Sequence, residues 1–347
     1  MNYSKVQFIS WELNTAPVEI DGFGAYPGIW NFDDSSKTDV VRQCCDIECR
    51  VEFFKKVVEK AIEDAADKSE NVLKVFMAPE FLFRGVAGAY VLDLLNGWDT
   101  APKEFGLNEM KFNNKWPGLF GLLDEFLSQK KFKNWLFVVG TTIGASFHVV
   151  NRHINMDKAE VYNCAYIKLG GIKNNNSRRI CRKHYKSPID FLKFTNYYAH
   201  TIENASHLID ENVDDNSLAE GSIFTFDEIK SNNNSIEFGI EICLDHFKKI
   251  LRNANHQVDI QLVPSCGMDL MNDSLALKNN NSYAVNCDGY KDDLHTKILN
   301  GRGQERHCEI VQMQNIDIDF LDSRINASEL WDGGLGSLKI SANLPLN

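Results

Sequence analysis

Short apolar runs recur along the chain with the lengths and spacings of strands. In the first half they occupy residues 6–11, 72–80, 135–144 and 161–171, and the second run ends at Glu80. Branched and aromatic side chains dominate these runs, and glycine or proline closes most of them. We therefore predict a buried strand at each of these positions.

Amphipathic segments separate the strands. Residues 46–66 and 119–127 place their apolar side chains on one helical stripe. The second half continues with two strands across an asparagine loop at 222–246 and an amphipathic helix at 247–257. A buried strand follows at 258–267, and a short helix leads into a last strand at 274–287. Strands that alternate with helices throughout predict an α/β fold in which sheet packs against helix.

The chain reads as one domain over residues 1–347, because no stretch rich in proline, glycine or serine divides it. Two segments interrupt the regular pattern. Residues 86–117 resemble an insertion at a strand end. Residues 190–217 are polar, become acidic toward their end, and resemble a surface excursion.

The charge balance narrows the range of partners. Lys and Arg number 37 against 48 Asp and Glu, which gives a formal net charge of −11. Nucleic-acid binding needs clustered cations, so we expect no nucleic acid as a general partner. The sequence has no run of 18 apolar residues, and its N-terminus lacks the basic and apolar parts of a secretory signal. We therefore expect no membrane association and a cytoplasmic location.

The nine cysteines indicate reduced thiols. The chain is too long to be a small disulfide scaffold, and most of the cysteines read as apolar core filler. No C-x-x-C pair is present, so we expect no structural zinc site and no other metal or cofactor.

Two residues at predicted strand ends could carry chemistry. Glu80 precedes Phe81-Leu82-Phe83, and apolar surroundings raise the pKa of a carboxyl toward that of a general base. Cys243 stands where a strand turns into a helix, and accessible N–H groups at such an elbow stabilise a thiolate or an oxyanion. Taken singly, each has a structural alternative, as a solvated acid or as a core thiol.

A lysine in the basic segment 178–186 is the third candidate. Lys183, if buried, supplies a fixed positive charge; if exposed, it belongs to a cationic surface loop. Lys186 competes with it for the same role. The residues alone leave this choice open.

Together, Glu80, Lys183 and Cys243 stand in an order that resembles the nitrilase, or carbon–nitrogen hydrolase, superfamily. The resemblance covers roughly residues 5–310. Its motifs are VFMAPEFLFRG around the glutamate, CRKHYKSP around the lysine and EFGIEICLDHFKKILR around the cysteine. The cysteine block, with Asp245 after it, is the most specific of the three.

The resemblance implies a four-layer αββα sandwich and a homodimer or higher oligomer. It implies that Glu80 is the general base, that Cys243 attacks an amide carbonyl or nitrile carbon, and that Lys183 and the backbone N–H of Leu244 hold the oxyanion. The expected activity is hydrolysis of a small amide, carbamoyl or nitrile substrate through a thioester.

The chain departs from the superfamily pattern at several places. Leu244-Asp245-His246-Phe247 follows the cysteine, where the superfamily often has an aromatic residue, Asp and a further Arg-Phe-Pro. His184 directly follows the lysine, one place early. A second superfamily glutamate lies between the lysine and cysteine motifs, and Glu203 is our candidate. Segments 86–117 and 190–217 exceed the superfamily core, which predicts a reshaped or covered pocket.

Other readings remain open at this point. The same triad could transfer an acyl group to an amine, or the chain could be a catalytically silent αββα scaffold that binds a partner. Cys266 is a second thiol near a strand end, and His246 suggests a Cys–His protease, although neighbouring residues on a turn point apart. Aromatic residues that either line an entrance or pack in the interior are Trp98, Trp116, Tyr197 and Tyr198.

Overall fold

The computed structural model describes residues 1–20, 23–64, 66–107, 111–150, 153–194, 197–199, 221–290, 296–320 and 323–346. Glu203 and most of the segment 190–217 lie outside these ranges. Within them the α-helices are α1 Val40–Asp64, α2 Asp93–Asn96, α3 Gly118–Leu127, α4 Leu244–Phe247 and α5 Ile250–Asn253.

The strands of the described ranges fall into two groups by position in the chain. The first group is β1 Lys5–Glu12, β2 Val18–Ile20, β3 Phe23–Ala25, β4 Val72–Ala78, β5 Tyr90–Val91, β6 Trp135–Val150, β7 His153–Leu169, β8 Arg178–Arg182 and β9 Tyr197–Ala199. The second is β10 Ile223–Ser231, β11 Asn234–Ile240, β12 Ile260–Ser265, β13 Tyr283–Asp288, β14 Ile298–Asn300, β15 Cys308–Gln312, β16 Asp317–Phe320, β17 Ser323–Asn326, β18 Ser337–Ser341 and β19 Leu344–Pro345.

Two large sheets organise these strands into a mixed α/β fold. The ten-stranded sheet has the order β15-β18-β1-β4-β6-β7-β8, with β19, β5 and β9 paired to β1, β6 and β7. The five-stranded sheet has the order β10-β11-β12-β13-β14. In the first sheet β1, β4 and β6 are parallel, and in the second β11, β12 and β13 are parallel.

The central strands are apolar on both faces, which explains their continuous apolar runs. In β1, Ile9 and Trp11 pack in the cluster that contains the helices, whereas Val6 and Phe8 pack in the cluster between the two sheets. The ring of Phe8 meets the ring of Tyr283 from the second sheet at 5.9 Å. The ten-stranded sheet is therefore covered by helix on one side and by the second sheet on the other.

Helix α1 covers the outer face of the ten-stranded sheet with one apolar stripe. Phe54 from this stripe contacts Phe76 of β4 edge-on at 5.9 Å and Trp11 of β1 at 6.4 Å. The outer face of the second sheet carries the short helix α5, whose Leu251 packs close to Gly239 of β11. Helix α1 thus packs on the ten-stranded sheet, and a short helix lies close to β11 of the second sheet.

The helices predicted in the second half differ from those observed. Residues 247–257 do not form one helix, because Lys249 adopts a left-handed φ of 57° and separates α4 from α5. Residues 274–287 contain no α-helix; one 3₁₀ turn at Asn272–Ser274 and irregular backbone lead to β13. The side chain of Asn279 there accepts a bond from the N–H of Asn281, and such local bonds compete with helix.

The segment 86–117 packs into the core over the part that is described. Trp116 is buried and donates through its indole to the carbonyl of Leu94, while the indole of Trp98 donates to the carbonyl of Phe112. These two tryptophans therefore serve packing. Among the described residues, no helix combines the length and the apolar character needed to cross a membrane.

A close approach between two strands predicts one sensitive glycine. Gly140 of β6 has a φ of +60°, and a Cβ there would lie 2.1 Å from the carbonyl oxygen of Pro79. We expect Gly140→Ala to lower the free energy of unfolding by about 3 kcal/mol or more, because it combines left-handed strain with a backbone clash. Urea unfolding measures the change.

Gly106→Ala is the matched control for this variant. Gly106 has a φ of +61°, and nothing lies within 4 Å of the added Cβ. It should therefore lose only about 1–2 kcal/mol from the left-handed conformation. Equal losses in the two variants would show that the contact with Pro79 is not tight.

Candidate active site

Three strand ends bring the predicted residues together between the two sheets. Glu80 follows β4, Lys183 follows β8 and Cys243 follows β11. The Nζ atom of Lys183 lies 2.8 Å from Oε1 of Glu80, and both side chains are fully buried. Cys243 is also buried, and the charge of Glu80 acts on its thiol.

Glu80 is held by bonds to its backbone and to one carboxylate oxygen. Its N–H donates to the carbonyl of Ser265 at 3.2 Å, and its carbonyl accepts from the hydroxyl of Thr15 at 2.6 Å. Oε1 accepts from Lys183 and from the side-chain amide of Asn163 at 2.9 Å. Oε2 is buried, and no nitrogen or oxygen donor among the described residues bonds to it.

Burial raises the pKa of Glu80 to about 7, although the charge of Lys183 opposes the shift. A carboxyl with this pKa is half ionised near neutral pH, so it can both accept and return a proton there. Apolar neighbours were the reason for expecting a raised pKa from the sequence, and Phe81, buried directly after Glu80, is one of them.

Lys183 lies between two carboxylates. Its Nζ is 2.8 Å from Oε1 of Glu80 and 2.8 Å from Oδ1 of Asp190, and it also reaches the hydroxyl of Ser187 at 3.4 Å. Burial alone would lower its pKa, but the two carboxylates outweigh burial and hold the pKa well above the usual range. Lys186, the alternative in the sequence, is exposed, and its ammonium lies 5.3 Å from the ring of Tyr197.

Asp190 is the site residue that the sequence reasoning missed. It is fully buried, and its carboxylate accepts from the N–H and the hydroxyl of Ser187 at 2.8 and 2.7 Å. The sequence predicts a surface excursion over residues 190–217, and this prediction is wrong for Asp190. The available signal was the serine three places before it, since Ser-x-x-Asp favours such a local turn. The earlier candidate, Glu203, lies outside the described residues.

Cys243 occupies a strained elbow. Its φ and ψ are 50° and −105°, a region that non-glycine residues adopt only when the surrounding structure imposes it. Its N–H donates to the carbonyl of Pro264 at 3.0 Å, and its own carbonyl accepts from the N–H of His246 at 2.9 Å. Strand β11 ends at Ile240, so Cys243 lies beyond the strand, in the turn that precedes α4.

The environment of Cys243 keeps its thiol protonated at rest. Burial raises the pKa of the thiol well above its usual value, and the charge of Glu80 adds to the shift while Lys183 opposes it. The sulfur lies 4.0 Å from the carbonyl oxygen of Cys266. Leu244 begins helix α4, and its N–H has no backbone acceptor among the described residues. The N–H of Leu244, which follows Cys243 directly, can therefore donate a hydrogen bond to another group.

Asp245 joins the cysteine elbow to the lysine segment. Its buried carboxylate accepts from the N–H groups of His184 at 3.0 Å and Tyr185 at 2.8 Å, directly after Lys183. It also accepts from the N–H of Ile242 at 3.4 Å, on the other side of Cys243. One side chain thus sets the position of Cys243 relative to Lys183.

His246 belongs to a second buried network and not to the thiol. Its Nδ1 lies 2.6 Å from Oε2 of Glu241, and its Nε2 accepts from the N–H of Met271 at 3.1 Å. Because Nε2 accepts, Nδ1 carries the proton and donates to Glu241. Gln261 donates to the same Glu241 oxygen at 2.6 Å. Both ring nitrogens are engaged away from Cys243, which argues against a Cys–His protease.

Cys266 lacks the partners of a nucleophile among the described residues. Its thiol donates to the carbonyl of Gly289 at 3.6 Å, and burial raises its pKa. Its contribution to the site is the carbonyl near the Cys243 sulfur. In the described part of the chain, no three His, Cys, Asp or Glu side chains gather as a metal ion would require.

The bonds of Asp245 predict a large effect of its removal. Asp245→Ala leaves three backbone N–H groups without their acceptor, two of them buried, so we expect a loss of about 3 kcal/mol in unfolding free energy. The alkylation rate of Cys243 should fall as the elbow loosens. Urea unfolding and mass spectrometry of the alkylated peptide measure the two effects.

Asp99→Ala is the control, since Asp99 is exposed and should change stability by less than about 0.5 kcal/mol. If Asp245→Ala matched Asp99→Ala in both measurements, the elbow and the lysine segment would hold their positions without this carboxylate.

No protein-family model matches the sequence, and no curated protein matches it. Among solved structures, the chain is similar to a nitrilase-superfamily amidase of Nesterenkonia AN1, with 10% identity over 99% of this chain and 92% of the amidase, at a TM-score of 0.43. It is similar to an N-terminal amidase with 13% identity over 76% of this chain, at a TM-score of 0.34. The alignment spans 48% of that amidase, about half of its length.

The chain is also similar to the C. elegans NitFhit protein, with 12% identity over 99% of this chain and 62% of NitFhit, at a TM-score of 0.40. The Nesterenkonia amidase belongs to the superfamily that the sequence motifs resemble. At these identities and TM-scores, what the chain does has to follow from its own site.

Proposed function

We propose that the chain is a thiol-dependent hydrolase of non-peptide carbon–nitrogen bonds, acting on a small amide, carbamoyl or nitrile substrate. The observation that carries the proposal is a buried contact. Lys183 meets Glu80 at 2.8 Å, next to a strained and buried Cys243, although the three residues lie far apart in sequence. A nucleophile, a proton carrier and a fixed cation in one place suit acyl chemistry.

Glu80 activates the nucleophile as a general base. Its Oε2 takes the thiol proton while the sulfur of Cys243 bonds to the carbonyl carbon and the carbonyl electron pair moves to oxygen. The pKa of the thiol lies above that of Glu80, so a free thiolate is disfavoured, and proton transfer accompanies attack. General-base assistance of this kind is typically worth about 10²–10⁴-fold.

Lys183 and the N–H of Leu244 stabilise the oxyanion. The ammonium is already oriented by two carboxylates, so little reorganisation is needed when negative charge develops on the substrate oxygen. Asp190 has a separate part in this step. When Glu80 becomes protonated it loses its charge, and Asp190 still keeps the ammonium paired.

The cycle closes with two proton transfers through Glu80. Protonated Glu80 gives its proton to the leaving nitrogen, the carbon–nitrogen bond breaks, and a thioester on Cys243 remains. Glu80 then takes a proton from water as the water oxygen attacks the thioester carbon. The carbon–sulfur bond breaks, the sulfur regains a proton from Glu80, and the acid is released.

The architecture is part of the same proposal. We propose that the two packed sheets and their outer helices correspond to the αββα sandwich of the nitrilase superfamily, and that two copies associate. Sheet-on-sheet packing through Phe8 and Tyr283 supports the first part. The second part rests on the resemblance of the sequence motifs.

Removal of the sulfur tests the nucleophile. Cys243→Ala should fold normally and lose all turnover of small amides and nitriles, because no attacking atom remains, and Glu80→Gln should lose about 10²–10⁴-fold. Ammonia release measures turnover, and mass spectrometry detects the acyl adduct on the wild-type thiol. Cys308→Ala is the control, since Cys308 is a partly buried thiol on edge strand β15.

Turnover that survives in Cys243→Ala across a substrate panel would contradict the assignment. If the wild type transfers the acyl group to an added amine and does not hydrolyse it, the catalytic residues stay the same and only the acceptor of the acyl group changes. An intact protein without turnover or adduct on any substrate would support the silent scaffold.

The two lysines of the basic segment provide a second test. Lys183→Met removes the buried cation and should lower turnover by at least about 10²-fold, the cost of one oxyanion donor. Lys186→Met removes an exposed cation three residues away and should keep most of the activity. Circular dichroism confirms that both variants fold. The reverse order of effects would move the catalytic role to Lys186.

A further inference from the structure

Arg84 carries a buried positive charge that the catalytic scheme above does not use. Its side chain is almost fully buried, and among the described residues no carboxylate lies at ion-pair distance from it. Burying an unpaired charge is costly, so such a residue needs a structural or functional reason. Arg50, a comparable buried arginine, instead pairs with Asp46 at 2.8 Å.

Two aromatic rings hold the Arg84 guanidinium in place. The ring of Tyr26 lies 3.9 Å from it and the ring of Phe81 lies 4.0 Å from it. A planar guanidinium stacks well in such a slot, and the flexible ammonium of a lysine fits it less well. Phe81 directly follows Glu80 and has a left-handed φ of 64°. The contact between Arg84 and the Phe81 ring therefore holds the backbone next to Glu80 in place.

The hydrogen bonds of Arg84 lead to both acids of the site. One terminal nitrogen donates to the carbonyl of Thr15 at 2.7 Å, and the hydroxyl of Thr15 donates to the carbonyl of Glu80 at 2.6 Å. The other donates to the carbonyl of Ile189 at 3.3 Å, one residue before Asp190. A single side chain therefore ties the Glu80 segment to the Asp190 segment.

The charge balance of the site shows what Arg84 adds. Glu80 and Asp190 carry two negative charges when ionised, and Lys183 carries one positive charge, which leaves one negative charge in excess. Both acids act electrostatically on the Arg84 guanidinium. Lys183, Asp190 and Cys243 act on Glu80, and the charge of Glu80 acts in turn on Arg84 and Cys266.

We propose that Arg84 is a positioning residue that fixes the Glu80 and Asp190 segments and supplies the second positive charge, so that Glu80 can ionise inside the protein. Arg84 touches no reacting atom. The inference rests on the proposed role of Glu80 as the base for Cys243, and it requires no particular substrate.

The alkylation rate of Cys243 as a function of pH tests the inference without a substrate. Wild type, Arg84→Met and Arg84→Lys are treated with iodoacetamide between pH 5 and 9, and the Cys243 peptide is quantified by mass spectrometry. Glu80 must be deprotonated to accept the thiol proton, so the wild-type rate should fall below pH of about 7. Loss of a nearby positive charge raises a carboxyl pKa.

The fall of the alkylation rate on the acidic side is the acidic limb of the pH profile. We expect this limb to move upward by about one pH unit in Arg84→Met, which makes alkylation about tenfold slower at pH 6. Arg84→Lys keeps the charge and should return the limb close to its wild-type position, even if the slot is filled less well. If Arg84→Met does not fold, Arg84→Gln replaces it, because Gln removes the charge and still donates a hydrogen bond.

Arg50→Met is the matched control. Arg50 is equally buried and lies 5.1 Å from the ring of Trp331, but its charge is paired with Asp46. We expect a loss of stability without movement of the limb. An Arg84→Met limb at the wild-type pH, or an equal shift in Arg50→Met, would overturn the inference.

The experiment separates this inference from the proposed function. A wild-type limb near pH 7 that moves in Arg84→Met supports the inference, and it does so even if no substrate is turned over. A wild-type rate without an acidic limb would remove Glu80 as the base and overturn both.

Discussion

The structure depends on one buried ammonium shared by two buried carboxylates. Lys183 lies 2.8 Å from Glu80 and 2.8 Å from Asp190, and none of the three side chains reaches solvent. Each of these charges alone would be strongly unfavourable in the interior, so the cluster is stable only when all three are present in good geometry. That requirement fixes the ends of β4 and β8 and the segment after β8 relative to one another.

The second sheet brings the Cys243 thiol to this cluster. Cys243 follows β11 in a strained backbone conformation. The buried carboxylates of Glu241 and Asp245, on either side of it, bind neighbouring segments of the same protein. Asp245 binds the segment after Lys183, and Glu241 binds His246 and the neighbouring strand β12. Because both networks are buried and well paired, they can maintain strain that would otherwise relax. The site is therefore a product of how the two sheets pack.

Much of the fold and part of the site could be predicted from local patterns. The strands at β1, β4, β6 and β12 are confirmed, because apolar runs of strand length have few other stable conformations inside a protein. The single helix predicted at 247–257 and the short helix predicted before the last strand within 274–287 are wrong, because one left-handed lysine and local asparagine bonds decide the backbone there. The strand itself is confirmed as β13. Asp190 was missed, since nothing in its sequence neighbourhood shows that it is buried against a lysine.

The sequence by itself determined which segments are strands and which residue types stand at their ends, since both follow from side-chain periodicity and from the chemistry of single residues. Only the tertiary structure decided that Lys183 and not Lys186 meets Glu80, that Asp190 completes the charge cluster, and that Arg84 lies buried between two rings. The physical reason is that burial and charge pairing depend on contacts between residues distant in the chain. A local pattern contains no information about the direction in which a side chain finally points.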